Sequence, residues 1–288
     1  MYANNEIGTI EPIKELAEAI RNRRIAAEYA RRGQARSDAH APGDDIFPLL
    51  HTDACQAAGA LPLNVSELGV DLMTLNGSKI YGPKGIGMLY KRNTVPMSPI
   101  IVGGEQERLL RAGTESVPLI VGFAEALARA ERSRLAESER LTLLRDCFID
   151  LLLRNIPGAI LNGHTKLRLP NNVHISIPHI EGESILLMLD RVGIEASTGS
   201  ACSAYDLKPS HVLLAIGQTA EFAHGSIRFS LGKDSNQKDI DHVISVLSTI
   251  AYRLTSISAL TASGVMNTAA AHTKPNICPS NIYEKKTP

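Results

Sequence analysis

The stretch that most constrains this chain is residues 70–90, VDLMTLNGSKIYGPKGIGMLY, where a short apolar run stops at a lysine and a glycine- and proline-rich turn takes over. Val70 to Leu75 reads as a mostly buried strand, Tyr81-Gly82-Pro83-Lys84-Gly85 as turn chemistry, and Ile86 to Tyr90 as a strand going back. Lys79 stands where the first strand gives way to the turn. A lysine at the mouth of a sheet can lose solvation, which lowers the pKa of its ammonium and leaves a neutral amine able to form a Schiff base with an aldehyde. A lysine in a turn is otherwise an ordinary solvated side chain, so Lys79 needs company to mean more.

That company lies upstream. Phe47-Pro48-Leu49-Leu50-His51-Thr52 reads as another strand, ending at Asp53 and followed by Cys55 and Gln56. Enough chain separates Asp53 from Lys79 for a crossover, so the two strands can be parallel neighbours with both carboxyl ends on one edge, where open α/β sheets bind ligands. A carboxylate held against a pyridine nitrogen keeps it protonated and turns the ring into an electron sink. That is the main electronic contribution a protein makes to pyridoxal phosphate chemistry.

Charge excludes some alternatives. Thirty basic and thirty acidic residues cancel over 288 residues, which gives no reason to expect nucleic acid or an anionic membrane as partner. The length suits one large domain or two modest ones. Cys55, Cys147, Cys202 and Cys278 show no CxxC pair and no metal-like spacing, so neither a disulfide framework nor a structural zinc site is expected, and a reducing cytosol is the simplest setting. No apolar run reaches the roughly 18 residues of a spanning helix, and the first residues do not read as a signal peptide.

Along the chain, a helix is expected from about Ile13 to the arginine-rich stretch before Gly33. Residues 33–46 are expected to form an exposed loop, with His40 solvated in it. Pro118 to about Asn155 carries apolar residues at helical spacing, as one long helix or two consecutive ones, with Cys147 packed in the core. Val173, Ile175 and Ile177 alternate as a strand, and Glu181-Gly182-Glu183-Ser184 reads as the capped start of a helix through Arg191. Residues 196–204, ASTGSACSA, have no apolar anchor and read as a mobile loop that can bring Cys202 to a ligand. Gly225 to Gly232 alternates as a strand with Arg228 on the face of Ser226 and Ser230; an arginine there can clamp a carboxylate with two parallel hydrogen bonds, although a lone arginine more commonly makes a surface ion pair. A last amphipathic helix spans Asp239 to about Leu254, and residues 256–288, Cys278 included, lose periodicity and read as disordered.

Three segments in order, His51-Thr52-Asp53-Ala54-Cys55-Gln56-Ala57-Ala58-Gly59, Lys79-Ile80-Tyr81-Gly82-Pro83-Lys84-Gly85 and Gly199-Ser200-Ala201-Cys202-Ser203, resemble the cysteine desulfurases, pyridoxal-phosphate enzymes of the aminotransferase class V group. The resemblance runs from residue 1 to about 255. It implies the type I pyridoxal-phosphate transferase fold, an α/β architecture with a mostly parallel sheet and helices on both faces, followed by a smaller α/β domain. The division expected is 1–133 for the large domain, 134–255 for the small one and 256–288 for a tail. By the same resemblance Lys79 carries the cofactor and moves protons, Asp53 faces the ring nitrogen, and Gln56 and Asn4 serve the phenolic oxygen. Asn76 takes the place of a phosphate-contacting serine, Thr114 reaches the phosphate of the cofactor in a second subunit of a homodimer, and Arg228, with Asn4, binds the substrate. Cys202 takes sulfur from L-cysteine as a persulfide, in transient contact with an iron–sulfur cluster when the acceptor is an iron–sulfur scaffold; no resident metal is implied. Thr114 can also be read as a helix N-cap with Glu115 in the first turn.

Ser78 departs from the pattern, since the family has a histidine there, and no histidine role passes to it. The family's phosphate loop and ring-stacking histidine precede Asn4-Asn5-Glu6-Ile7-Gly8, so the chain corresponds to a C-terminal portion. A selenocysteine lyase or other class V aminotransferase-like enzyme is the enzymatic alternative, and Cys202 speaks for the desulfurase. An inactive remnant or half of a split enzyme is the other.

Overall fold

The structure, a computed structural model, describes residues 1–32, 47–199 and 208–257. The expected 33–46 loop, Cys202 and Cys278 lie outside the described residues. The chain divides into two units, one made of Met1–Ala3 with Glu11–Leu135, the other of Asn4–Ile10 with Ala136 onward.

In the first unit, α1 (Ile13–Arg32) leads through residues 33–46 to β1 (His51–Asp53), and the short α2 (Val65–Leu68) makes the crossover to β2 (Leu72–Asn76). Asn64 starts α2 by accepting from Ser66 N and Glu67 N at 3.1 and 3.4 Å, and Gly69, at φ 72°, ends it in the left-handed conformation that glycine adopts most cheaply. β1 and β2 pair in parallel, with Asp53 beside Thr74. β3 (Gly87–Lys91) then pairs antiparallel with β2. Only one of the two pairings is therefore parallel, because Gly77–Ile86 is too short for a crossover and must reverse the chain. Met73, Leu75, Val70, Ala54 and Ile80 form the buried side of this sheet. Asp71, 2% exposed, ties its start to α1: Arg24 Nη2 lies 2.6 Å from Asp71 Oδ2, which also accepts from Leu50 N at 2.9 Å. Burying that carboxylate is tolerable because these partners, and Arg92 Nη1 at 3.6 Å from Asp71 Oδ1, are present.

The 3₁₀ turn Gly77–Ile80 follows β2, and a second one, Gln106–Leu109, precedes α3 (Val117–Asn155), which is a single unbroken helix. In the second unit, β4 (Ile160–Leu161), β5 (Asn172–Ser176) and β6 (Ser226–Ser230) form an antiparallel sheet in the order β4-β5-β6. α4 (Gly182–Asp190), α5 (His211–Ala215), α6 (Ala220–His224) and α7 (Gln237–Ile257) complete it. Glu181 stands at the N-cap of α4 without a side-chain cap. Leu144, Phe148 and Leu152, one helical turn apart on α3, pack with Ile175 and Val173 of β5, Ile227 and Phe229 of β6, Ile185 and Leu189 of α4, and Ile240, Ile244 and Leu247 of α7. Phe148 and Phe229 meet edge to face at 5.2 Å, and Cys147 belongs to the same core. Each such large side chain contributes about 1.5–3 kcal/mol on burial. All of β5 is buried, including the polar Asn172, His174 and Ser176, because Asn162, Arg168 and residues 4–10 line its second face.

Candidate functional site

The first unit collects one group of candidate residues at the carboxyl ends of β1 and β2. Parallel register puts Asp53 and Asn76 at one edge, as the spacing of Asp53 and Lys79 suggested. Asn76 caps the 3₁₀ turn, its Oδ1 accepting from Ser78 N at 2.9 Å and from Ser78 Oγ at 2.8 Å. The turn closes at Tyr81, a non-glycine residue at φ 60°. Lys79, near the end of this turn, is exposed, so the desolvation expected of a lysine at the mouth of the sheet is not supplied by the described residues. Close packing of the turn explains its glycines: a Cβ on Gly77 would come within 2.9 Å of Ile86 Cγ2 and 3.1 Å of Phe123 Cδ2, and one on Gly82 within 2.9 Å of Gly77 O and 3.1 Å of Ala126 Cβ.

Cys55 N–H donates to Asp53 Oδ1 at 2.9 Å, and Cys55 Sγ lies 3.8 Å from Thr74 O. Burial pushes the Cys55 thiol up to about 12, the hydrogen bond and charge of Asp53 push the same way, and the Lys79 charge pulls against them. Asp53, Cys55 and Lys79 thus share one electrostatic neighbourhood, and Cys55 belongs to it although the sequence marked it only as following Asp53. Gln56 is half-buried in the turn after β1. Thr114 is exposed, and α3 starts beyond it at Val117 with no acidic residue in its first turn, so the N-cap reading of Thr114 and Glu115 does not hold. An open cleft of ≈ 480 Å³ is lined by Asn76, Ser78, Lys84, Gly85, Ile86 and Gly87; neither Asp53 nor Lys79 lines it.

The donor set fits pyridoxal phosphate in kind. There is an exposed primary amine, a carboxylate at the neighbouring strand end, and the amides of Gln56 and Asn76. Ser78 fits less well, since its N–H and hydroxyl proton both point to Asn76 Oδ1, leaving Asn76 Nδ2 as the amide donor for an anion.

The second unit holds Asn4 and Arg228. Asn4 Oδ1 accepts from Glu6 N at 2.9 Å and Ile7 N at 3.0 Å, so the turn over residues 4–8 uses its oxygen and leaves Nδ2 to offer a ligand. Arg228 lies between the core residues Ile227 and Phe229 on β6 and faces the other way, half-buried. Its Nη1 donates to Asn5 O at 2.8 Å, and its main chain bridges Ser197 through bonds of 2.7 and 3.1 Å. His174 is its cross-strand neighbour on β5. Asn162 Nδ2 lies 2.9 Å from His174 Nδ1 and donates to Ser176 Oγ at 2.8 Å. Burial, then the charges of Arg228 and Arg168, lower the His174 pKa to about 3. Sequence reasoning overlooked His174 and the buried Glu6, whose partners lie far along the chain. Among the described residues no His/Cys/Asp/Glu group could hold a metal ion, and no helix is long and apolar enough to cross a membrane.

Comparison with known proteins adds three findings. Residues 45–243 match the family described as aminotransferase class-V. The cysteine desulfurase IscS of Dictyoglomus turgidum is 48% identical over 258 residues, covering 90% of this chain and 60% of that protein, and cysteine desulfurase IscS 1 of Archaeoglobus fulgidus is 44% identical over 259 residues, covering 90% and 61%. A solved NifS-like protein from Rickettsia africae superposes with a TM-score of 0.70 at 29% identity, over 86% of this chain and 60% of that one. The chain therefore spans about 60% of the length of the relatives it matches.

Proposed function

Since this chain belongs to the aminotransferase class-V family, whose members are pyridoxal-phosphate-dependent, we propose that it acts as a cysteine desulfurase, converting L-cysteine to L-alanine with transfer of the sulfur to Cys202. The observation that carries the reading is the meeting of Asp53 and the Lys79 turn at the carboxyl ends of two parallel strands. It is supported by relatives named cysteine desulfurase at 44–48% identity.

Lys79 would hold pyridoxal phosphate through its amine, with Asp53 at the ring nitrogen, Gln56 and Asn4 at the phenolic oxygen, and Asn76 at the phosphate. Thr114 would reach the phosphate of the group held by a second copy. Bound there, the cofactor supplies an electron sink for the carbon from which sulfur departs. Arg228 orients the substrate carboxylate through its guanidinium. Cys202, as thiolate, attacks the substrate sulfur: a sulfur–sulfur bond forms as the carbon–sulfur bond breaks, and the bonding pair stays with carbon. Lys79 delivers a proton to that carbon, which becomes the methyl group of alanine. The proton given up by the Cys202 thiol balances the one gained at carbon, so no oxidant or reductant is needed. An iron–sulfur scaffold as acceptor, a homodimer and a cytoplasmic setting complete the proposal.

The test is to incubate the full chain with pyridoxal phosphate and L-cysteine and to locate added sulfur by peptide mass. Sulfur should appear on Cys202, vanish in Cys202→Ser, and form roughly 10²–10⁴-fold more slowly in Lys79→Ala. Borohydride should fix the cofactor to the peptide containing Lys79. Sulfur that persists on another cysteine in Cys202→Ser would sink the mechanism.

A further inference from the structure

The open cleft of ≈ 480 Å³ at the end of β2 is walled by Asn76 and Ser78 on one side and by the returning chain from Lys84 to Gly87 on the other. Its size falls within the roughly 300–1,000 Å³ of small-molecule sites. Its chemistry is one-sided: no carboxylate lines it, and its charged group is the Lys84 ammonium. Among the described residues Lys84 has no ion-pair or hydrogen-bond partner. Asn76 adds a donor. Ser78 N and Oγ both give their protons to Asn76 Oδ1, at 2.9 and 2.8 Å, and only the oxygen end of an amide can accept two such bonds. The amide is thereby oriented, with Nδ2 as the end left to a ligand.

The backbone keeps this wall accessible. Gly85 has a φ of +83°, and a Cβ built on it would meet nothing within 4 Å, so the glycine serves the bend and not close packing. At Gly87, two residues on, a Cβ would stand 2.9 Å from Leu75 O, which shows β3 sealed against β2 where the cleft ends. A lone ammonium is a point charge suited to a phosphate oxygen, whereas a carboxylate is gripped best by the two-pronged guanidinium of arginine. A phosphate monoester carries a charge of about −1.5 to −2 at neutral pH. Neither Asn76 nor Ser78 can offset that charge, and Lys84 can.

We propose that the cleft is a phosphate-monoester site in which Lys84 supplies the counter-charge and Asn76 Nδ2 a hydrogen bond. Identifying the ester with pyridoxal phosphate rests on the function proposed above; the anion site itself does not, since a free phosphate would use the same groups. Lys84 is exposed, so Lys84→Gln removes the charge without disturbing the packing, and its urea unfolding should match wild type. Lys84→Arg keeps the charge.

The experiment is equilibrium dialysis of the full chain at low salt against three probes: pyridoxal phosphate, pyridoxal, which has the same aldehyde and no phosphate, and radiolabelled inorganic phosphate. Lys84→Gln should raise the Kd for pyridoxal phosphate and for inorganic phosphate by roughly tenfold, the low end of what a hydrogen bond to a charged group contributes, as suits an exposed lysine. The Kd for pyridoxal should stay as in wild type, and Lys84→Arg should bind all three probes nearly as wild type does. Added salt should shrink the difference between wild type and Lys84→Gln. Equal retention of pyridoxal phosphate by wild type and Lys84→Gln, or a parallel loss of pyridoxal, overturns the proposal; borohydride fixation of the cofactor at Lys79 alongside either result leaves the desulfurase reading standing. Uptake of inorganic phosphate that depends on Lys84, with no cofactor fixed at Lys79, upholds the anion site, assigns it to a free phosphate and overturns the desulfurase reading instead.

Discussion

His174 shows what burial among arginines does to a single ionisable group. In the folded chain it stays neutral down to about pH 3, whereas the unfolded chain takes up the same proton near the ordinary value of 6.5. Between those values the unfolded state binds the extra proton, so the contribution of His174 to stability is intact above pH 6.5 and lost as pH falls towards 3, by up to about 1.4 kcal/mol per pH unit. Urea unfolding at pH 6.5 and 5 should therefore show a loss about 2 kcal/mol larger for wild type than for His174→Asn. Equal losses would assign the pH dependence to other groups. At this scale the strand end at Asp53 and the turn at Lys79 were legible because strand-end and turn chemistry marks each locally. Glu6 and His174 were not: Glu6 depends on Ser210, far away in sequence, and the neutrality of His174 depends first on its burial and then on Arg228 and Arg168, which only the folded sheet decides.

Among the elements, the 3₁₀ turn after β2 is set by what its glycines allow. A methyl on Gly82 would meet the carbonyl of Gly77 at 2.9 Å and Ala126 at 3.1 Å, and a backbone oxygen cannot swing aside as a flexible side chain can. Gly82→Ala should cost about 1–3 kcal/mol in urea unfolding and shift the turn that carries Lys79. A variant as stable as wild type would show that the turn and α3 are packed more loosely than described. The glycines, the return strand and the long α3 could all be read from local pattern, since strand and helix periods differ and Gly and Pro punctuate them. Strand direction was only partly legible. β1 and β2 are parallel as expected, while β4, β5 and β6 run antiparallel. The sequence left the exposure of Lys79 open, because a strand end does not by itself reveal how much chain covers it.

For the whole molecule, zero net charge removes the electrostatic repulsion that keeps copies apart, and some large apolar side chains remain uncovered. Ile100, Val102 and Val121 are 98%, 76% and 61% exposed, in the stretch of chain that includes Thr114. A second copy is the occupant that the proposed role of Thr114 calls for. Sedimentation should show a dimer that survives high salt, as apolar contacts do, and Val102→Asp should weaken it by at least roughly tenfold. A wild-type monomer at high concentration would contradict this. The membership of Asn4–Ile10 in the unit that resumes at Ala136 bears on how the gene can be dissected. Leu169 N bonds Gly8 O, Ile10 N bonds Leu167 O, and Ile7 packs with Leu213 and Ala223. A clone starting at the codon for Ala136 would encode the second half of α3 and every later helix and strand of that unit yet lack the heptapeptide that seals its polar face. Its expression product would be an open vessel whose stopper is written at the far end of the message.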